Sequence, residues 1–157
     1  MEIVFESALL PDGIAAPVAI AIAANGTIER VSSGAAAKGA AVLPGLALPG
    51  MPNLHSHAFQ RAMAGAAELR GPGPDSFWTW RDTMYRFVGR LGPEEVDAVA
   101  AFVYLEMLEA GYTSVGEFHY IHHQPDGRPY ADAAALALAV RAAAGRAGIR
   151  QVLLPTL

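Results

Sequence analysis

The sequence has no cysteine among its 157 residues. That excludes a disulfide framework and any thiolate metal site, so a bound metal would have to be held by histidine and carboxylate. Lysine is nearly absent as well, Lys38 being the only one. Lys and Arg together number 11 against 15 Asp and Glu, a net charge of −4. This is not the electrostatic footprint of a nucleic-acid binder. Although 53% of the residues are hydrophobic, no uninterrupted apolar run reaches the ~18 residues that suggest a membrane-spanning helix. The N-terminus carries Glu2 and Glu6 rather than a basic stretch ahead of an apolar one, so a secretory leader is not expected. A cytoplasmic protein with a small-molecule partner, bound to neither nucleic acid nor membrane, is the expectation.

What is present is organised in two styles. Met1 to Ser7 is β-rich, Pro11-Asp12-Gly13 is a turn signal, and Asn25-Gly26 stands between the strand-like runs Val18 to Ala23 and Thr27 to Val31. Asn-Gly between two such runs is a strong hairpin signal. Ser32 to Ala41 is small and Gly/Ala-rich and predicts a loop. From Val42 the pattern changes. An apolar run leads through Pro49-Gly50-Met51-Pro52-Asn53 into His55 and His57, and Ala58 to Leu69 has the spacing of a helix. A Gly/Pro loop spans 71–75, and an aromatic-rich segment runs from Ser76 to Leu91. Gly92-Pro93-Glu94-Glu95 is a helix start, with proline at the first helical position and acids at the positive end of the dipole. Val96, Val99, Val103 and Met107 follow at helical spacing as far as Gly111. Thr113 to Tyr120 predicts a strand, Ala131 to Ala147 a helix closed by Gly148, and Gln151 to Leu157 a third strand. From residue 49 the order of strand, helices, strand, helix, strand is that of βαβ units on a parallel sheet.

His55 and His57 lie two apart on a predicted strand, and residues so spaced point to one side. Two imidazoles can then converge on one ion, at about 2.0–2.1 Å if it is zinc. The strand before them is apolar and the polar residues come at its C-terminal end, which in an α/β barrel is the catalytic end. Two surface histidines in a loop would be the alternative.

The run Leu48-Pro49-Gly50-Met51-Pro52-Asn53-Leu54-His55-Ser56-His57 resembles the first-strand motif of the amidohydrolase superfamily. Within it, three segments resemble the N-formimidoyl-L-glutamate deiminases of histidine degradation. They are His55 to Gly65, Ser76-Phe77-Trp78-Thr79-Trp80-Arg81, and Gly116-Glu117-Phe118-His119-Tyr120. The resemblance implies an α/β fold. A small N-terminal antiparallel β domain over 1–48 would precede, over 49–157, the first strands and helices of a (β/α)8 TIM barrel, here truncated. It implies one zinc ion, or another divalent metal in its place, with His55 and His57 as two of its ligands. It implies that the substrate meets Gln60, Arg81 and Tyr120; a planar guanidinium and a tyrosine hydroxyl suit the carboxylates of a glutamate derivative. The implied reaction is hydrolysis of the formimino group, releasing ammonia and N-formyl-L-glutamate, in an enzyme expected to be a homodimer at full length.

Phe77, Trp78 and Trp80 either cover the pocket or pack in the core. His119, His122 and His123 are read as structural or solvent-facing. A barrel of this kind takes about 250 residues. The remaining ligands that the resemblance implies, a histidine and an aspartate, and the proton-transfer residues are therefore expected beyond Leu157, and the chain alone is expected to be inactive. The alternatives are another deaminase or cyclic amidohydrolase of the superfamily, acting on guanine or an imidazolone, and a non-catalytic fragment.

Overall fold

The computed structural model describes residues 1–34, 41–69, 73–74 and 76–156. The chain divides into two compact units, Met1–Pro49 and Gly50–Leu157.

The first unit is a curled five-stranded sheet. Its strands are β1 (Glu2–Leu10), β2 (Gly13–Ala15), β3 (Val18–Ile22), β4 (Ile28–Ser33) and β5 (Val42–Ala47). The first four run antiparallel in the order β2-β1-β3-β4. Val4, Ala8, Val18 and Ala19 are its buried residues. The hairpin expected at Asn25-Gly26 joins β3 to β4, with Gly26 at φ 84°. The wholly antiparallel domain that was expected needs correction at β5, which pairs with β1 in parallel, Val4 with Val42 and Ala8 with Ala47. An apolar run such as Val42 to Leu48 does not encode its own direction. Pairing shifts by one residue at Pro44 and Gly45. Proline has no N–H to give the ladder, and Gly45 takes φ 94°. The side chains of β1 compensate: Glu6 Oε2 accepts the Gly45 N–H at 2.7 Å, and the Ser7 hydroxyl donates to its carbonyl at 3.1 Å. Most of the loop expected over 32–41 lies outside the described residues, as does much of the one over 71–75.

The second unit is a three-stranded parallel sheet in the order β6-β7-β8: β6 (Met51–Ser56), β7 (Tyr112–His119) and β8 (Arg150–Pro155). Helices α1 (Phe77–Val88), α2 (Pro93–Glu109) and α3 (Ala135–Ala147) form the connections. Ser76 caps α1 through a reciprocal pair of bonds with Thr79. Gly92 and Pro93 open α2, where Glu95 Oε2 accepts the Gly92 N–H at 2.9 Å. Val96, Ala100, Tyr104 and Met107 of α2 recur every third or fourth residue and are buried. They share a core with Val115 of β7 and with Leu136, Val140, Ala143 and Ala144 of α3. The helix expected over Ala58 to Leu69 is shorter than the pattern suggests. Only Ala58–Met63 is helical, as a 3-10 segment. The chain then turns at Ala64, with ψ 131°, and Gly65, with φ 83°. The last helix begins at Ala135 rather than Ala131, because the Asp132 carboxylate and carbonyl take the N–H groups of Ala134 and Ala135 in a turn.

Candidate metal centre

His55 and His57 meet at the C-terminal end of β6, by a different route from simple strand alternation. β6 pairs with β7 at Asn53–Val115 and next at Ser56–Glu117, three residues against two. The extra residue is a bulge at Leu54 and His55, and His57 lies just past the strand as the N-cap of the 3-10 segment. Local chemistry supports the bulge. The Asn53 side chain accepts the His55 N–H at 3.1 Å, which the ladder no longer serves. Pro52, at a second shift in register, has no N–H to lose. Opposite the bulge lies Gly116, where a Cβ would stand 3.0 Å from the Leu54 carbonyl oxygen.

The two Nε2 atoms are 2.9 Å apart. His57 Nδ1 lies 2.8 Å from the carbonyl oxygen of Phe118. An oxygen acceptor requires a hydrogen on Nδ1, so the neutral ring has its lone pair on Nε2, the atom aimed at His55. Two ligands about 2.0–2.1 Å from one zinc and about 90–110° apart are separated by about 2.8–3.4 Å. The pair therefore fits a shared cation on spacing and tautomer, with Phe118 as the outer partner that orients a ligating imidazole. Among the described residues no group of three or more histidine, aspartate or glutamate side chains is arranged to hold an ion.

Aromatic rings wall the pair. Phe118 is 4.3 Å from the His55 ring and Tyr120 is 4.8 Å from that of His57, centre to centre. Gln60 Nε2 donates to the Tyr120 hydroxyl at 2.6 Å, so these two expected substrate residues stand together beside His57. Burial pushes the Tyr120 pKa up, which keeps its proton available to donate. That proton now points to Met84 Sδ at 3.4 Å. Arg81 stands elsewhere. On α1 its guanidinium stacks on Trp78 at 5.5 Å and on Tyr85 at 5.2 Å, and its hydrogen bond is to the Tyr85 hydroxyl. Tyr85 and Tyr120 both line a cleft of about 420 Å³ with His122 and His123, while Arg81, His55 and His57 do not line it. Of Phe77, Trp78 and Trp80 on α1, Trp80 packs on the core, while Phe77 and Trp78 are exposed. His119 is buried, His122 bonds the Thr156 carbonyl through Nε2 at 2.7 Å, and His123 is exposed.

Beneath the pair, on the helix side of the sheet, lies a polar cluster that reading the sequence passes over. Glu117 is 1% exposed, and its Oε1 accepts the Ala58 N–H at 2.7 Å. Oε2 is enclosed with no formed hydrogen bond. The hydroxyls of Ser56 and Tyr104 act on the carboxylate from longer range. Burial raises the Glu117 pKa, and these donors with the Ala58 amide oppose that rise. Tyr104 is fully buried and accepts from Gln151 of β8 at 2.8 Å. The available signal was a carboxylate two residues after the apolar Val115 in a strand, a position that alternation sends into the core. On the adjoining segment Arg61 forms a two-pronged ion pair with Glu106 of α2, at 2.7 and 2.8 Å.

A parallel sheet with histidines at a strand's C-terminal end places the protein among α/β proteins with a candidate metal centre. The chain belongs to the amidohydrolase family, whose model matches residues 46–154. It is similar to formimidoylglutamate deiminase of Pseudomonas aeruginosa, 57% identical over 152 residues that make up 97% of this chain and 34% of that protein. It is also similar to the crystal structure of an amidohydrolase from Brucella melitensis, with 49% identity and a TM-score of 0.90 over 98% of this chain and 34% of that one. Atrazine chlorohydrolase from Arthrobacter aurescens, complexed with zinc, shares the fold at 22% identity, with a TM-score of 0.73 over 98% of this chain and 35% of its own. The chain thus spans about a third of the length of these relatives.

Proposed function

We propose that this chain supplies part of the active site of a zinc-dependent hydrolase. The enzyme converts N-formimidoyl-L-glutamate and water into N-formyl-L-glutamate and ammonia, a step of histidine degradation. Its sheet and helices form the opening of a (β/α)8 barrel that is completed at the length of its relatives. The observation that carries the reading is the 57% identity to a formimidoylglutamate deiminase over nearly the whole chain. The converging Nε2 atoms of His55 and His57 support it. So does the zinc complex of the more distant atrazine chlorohydrolase.

His55 and His57 would hold the metal through their Nε2 atoms. Phe118 fixes the His57 tautomer through its carbonyl, so that Nε2 is the atom offered. A divalent metal there supplies Lewis acidity and a nucleophile at neutral pH. Gln60 and Tyr120 form a coupled donor pair beside His57. With the substrate bound, the Tyr120 hydroxyl keeps its proton and turns its hydrogen bond from the weak Met84 sulfur contact to a carboxylate oxygen. Arg81 meets a substrate carboxylate from α1, where the aromatic faces of Trp78 and Tyr85 hold its guanidinium flat.

The test is metal analysis and ammonia release in the full-length enzyme. Wild type should carry about one zinc per chain and release ammonia from N-formimidoyl-L-glutamate, but not from guanine or an imidazolone. His55→Ala and His57→Ala should each lose metal and turnover. Preference for a cyclic substrate, or full metal and full rate in both variants, would overturn the reading.

A further inference from the structure

Glu117 has no place in that mechanism, yet it is the most deeply buried carboxylate among the described residues, at 1% exposure. Enclosing a carboxylate is costly unless its oxygens are engaged. One oxygen grips a single backbone donor, the amide of Ala58, which directly follows His57. The residue next to Glu117 grips the other end of the same histidine, since the Phe118 carbonyl meets His57 Nδ1 at 2.8 Å. Two consecutive residues of β7 thus hold the backbone after His57 and its ring, Glu117 through its side chain and Phe118 through its main-chain carbonyl. They do so where the β6–β7 ladder has just been broken by the bulge at Leu54 and His55. His57 lies beyond the last paired residue of β6, with φ −130° and ψ 81°. Strand pairing does not fix it there, and the Glu117 carboxylate holds the amide that follows it.

We infer that Glu117 is a positioning residue for the metal centre: by accepting the Ala58 amide hydrogen it sets the backbone that carries His57, and so the distance between the two Nε2 atoms. This rests on the proposed role of His55 and His57 as metal ligands. What the site requires of residue 117 is an acceptor oxygen. Glutamine can supply one, turning its amide NH2 toward the hydroxyl oxygens of Ser56 and Tyr104. Leucine has similar bulk and no acceptor, and leaves the Ala58 N–H unpaired in the core.

The experiment compares wild type, Glu117→Gln and Glu117→Leu of the full-length enzyme. The readouts are zinc dissociation by chelator competition, the visible spectrum of the cobalt-substituted protein, and the far-UV spectrum. Removing an outer partner of a metal ligand typically weakens affinity about 10- to 100-fold. E117L should show a loss of that size and an altered cobalt spectrum. E117Q should stay within about threefold of wild type, with an unchanged spectrum, since it keeps the outer partner whose loss costs about 10- to 100-fold. A folded E117L with wild-type affinity and spectrum would overturn the inference. If E117L does not fold, E117Q decides: affinity kept supports an acceptor role, and a tenfold loss in a folded E117Q overturns it. Wild type that binds no zinc would overturn the metal-centre reading itself, a result distinct from either.

Discussion

At the scale of single residues, the chemistry depends on which atoms are free to act. His57 Nε2 keeps its lone pair because Nδ1 is engaged by Phe118, and the Tyr120 proton is weakly held because its acceptor among the described residues is a thioether. Tyr120→Phe in the full-length enzyme removes one donor to a charged oxygen, worth about 1.5–3 kcal/mol. Steady-state kinetics should show KM raised about 10- to 100-fold with kcat changed little, the pattern of lost uniform binding. A collapse of kcat at unchanged KM would instead put Tyr120 in the chemical step. Legibility at this scale follows residue type. Histidines two apart after an apolar strand make a candidate metal pair visible in the sequence itself. For Glu117, strand alternation signals only a buried carboxylate; its partner Ala58, fifty-nine positions away in sequence and 2.7 Å away in space, is not legible. Arg81 is intermediate: its type suits a carboxylate, but the structure gives it aromatic neighbours on its own helix rather than a place beside the histidines.

Among the elements, β6 is the one whose irregularity matters. Pro52, the Asn53 side chain and the bulge at Leu54 and His55 together bend a short strand so that both imidazoles converge. The facing strand accommodates this at Gly116, which a Cβ would crowd against the Leu54 carbonyl. Gly116→Ala should therefore cost about 1–3 kcal/mol, as overpacking does, and should weaken metal binding as well. Urea unfolding and chelator competition on the full-length variant check both. Lower stability with unchanged metal affinity would separate the bulge from the centre. Helix α2 was legible because Gly92, Pro93 and Glu95 mark its start and its apolar residues keep one period. The segment after His57 was not, because one turn of apolar spacing precedes a glycine that takes a positive φ at residue 65. The parallel direction of β5 was not legible either, since residue order within an apolar strand is silent on the direction of its neighbour.

For the molecule as a whole, the order of strands and helices after residue 49 announced the parallel sheet, and the sheet has that form. Among the described residues no helix is long and apolar enough to cross a membrane. Leu54, Val152 and Leu154 remain exposed on β6 and β8, the two outer strands of that sheet. Its pH response should be set in part by His119, which is 2% exposed with Nε2 unpartnered. Burial, then the charge of His122, pushes its pKa down to about 4. An unfolded histidine titrates near 6.5, so between about pH 6.5 and 4 the unfolded chain binds a proton that the folded chain refuses. Stability should thus be unaffected by this group above that window and fall by up to about 3 kcal/mol as pH drops through it. Unfolding midpoints of the chelated full-length enzyme at pH 7 and 4.5 should show the fall, and His119→Gln should reduce it; an equal fall in the variant would assign it to other groups. The central claim concerns which bond is broken. N-formimidoyl-L-glutamate has two C–N bonds at its formimino carbon, and hydrolysis can release ammonia or release formamide. Carbon-13 NMR of the reaction of the full-length enzyme with substrate labelled at that carbon tests the account most directly. The account predicts a single new formyl resonance of N-formyl-L-glutamate, one ammonia per turnover, and no product after the metal is removed. Labelled formamide with free glutamate, or undiminished turnover without metal, would contradict it.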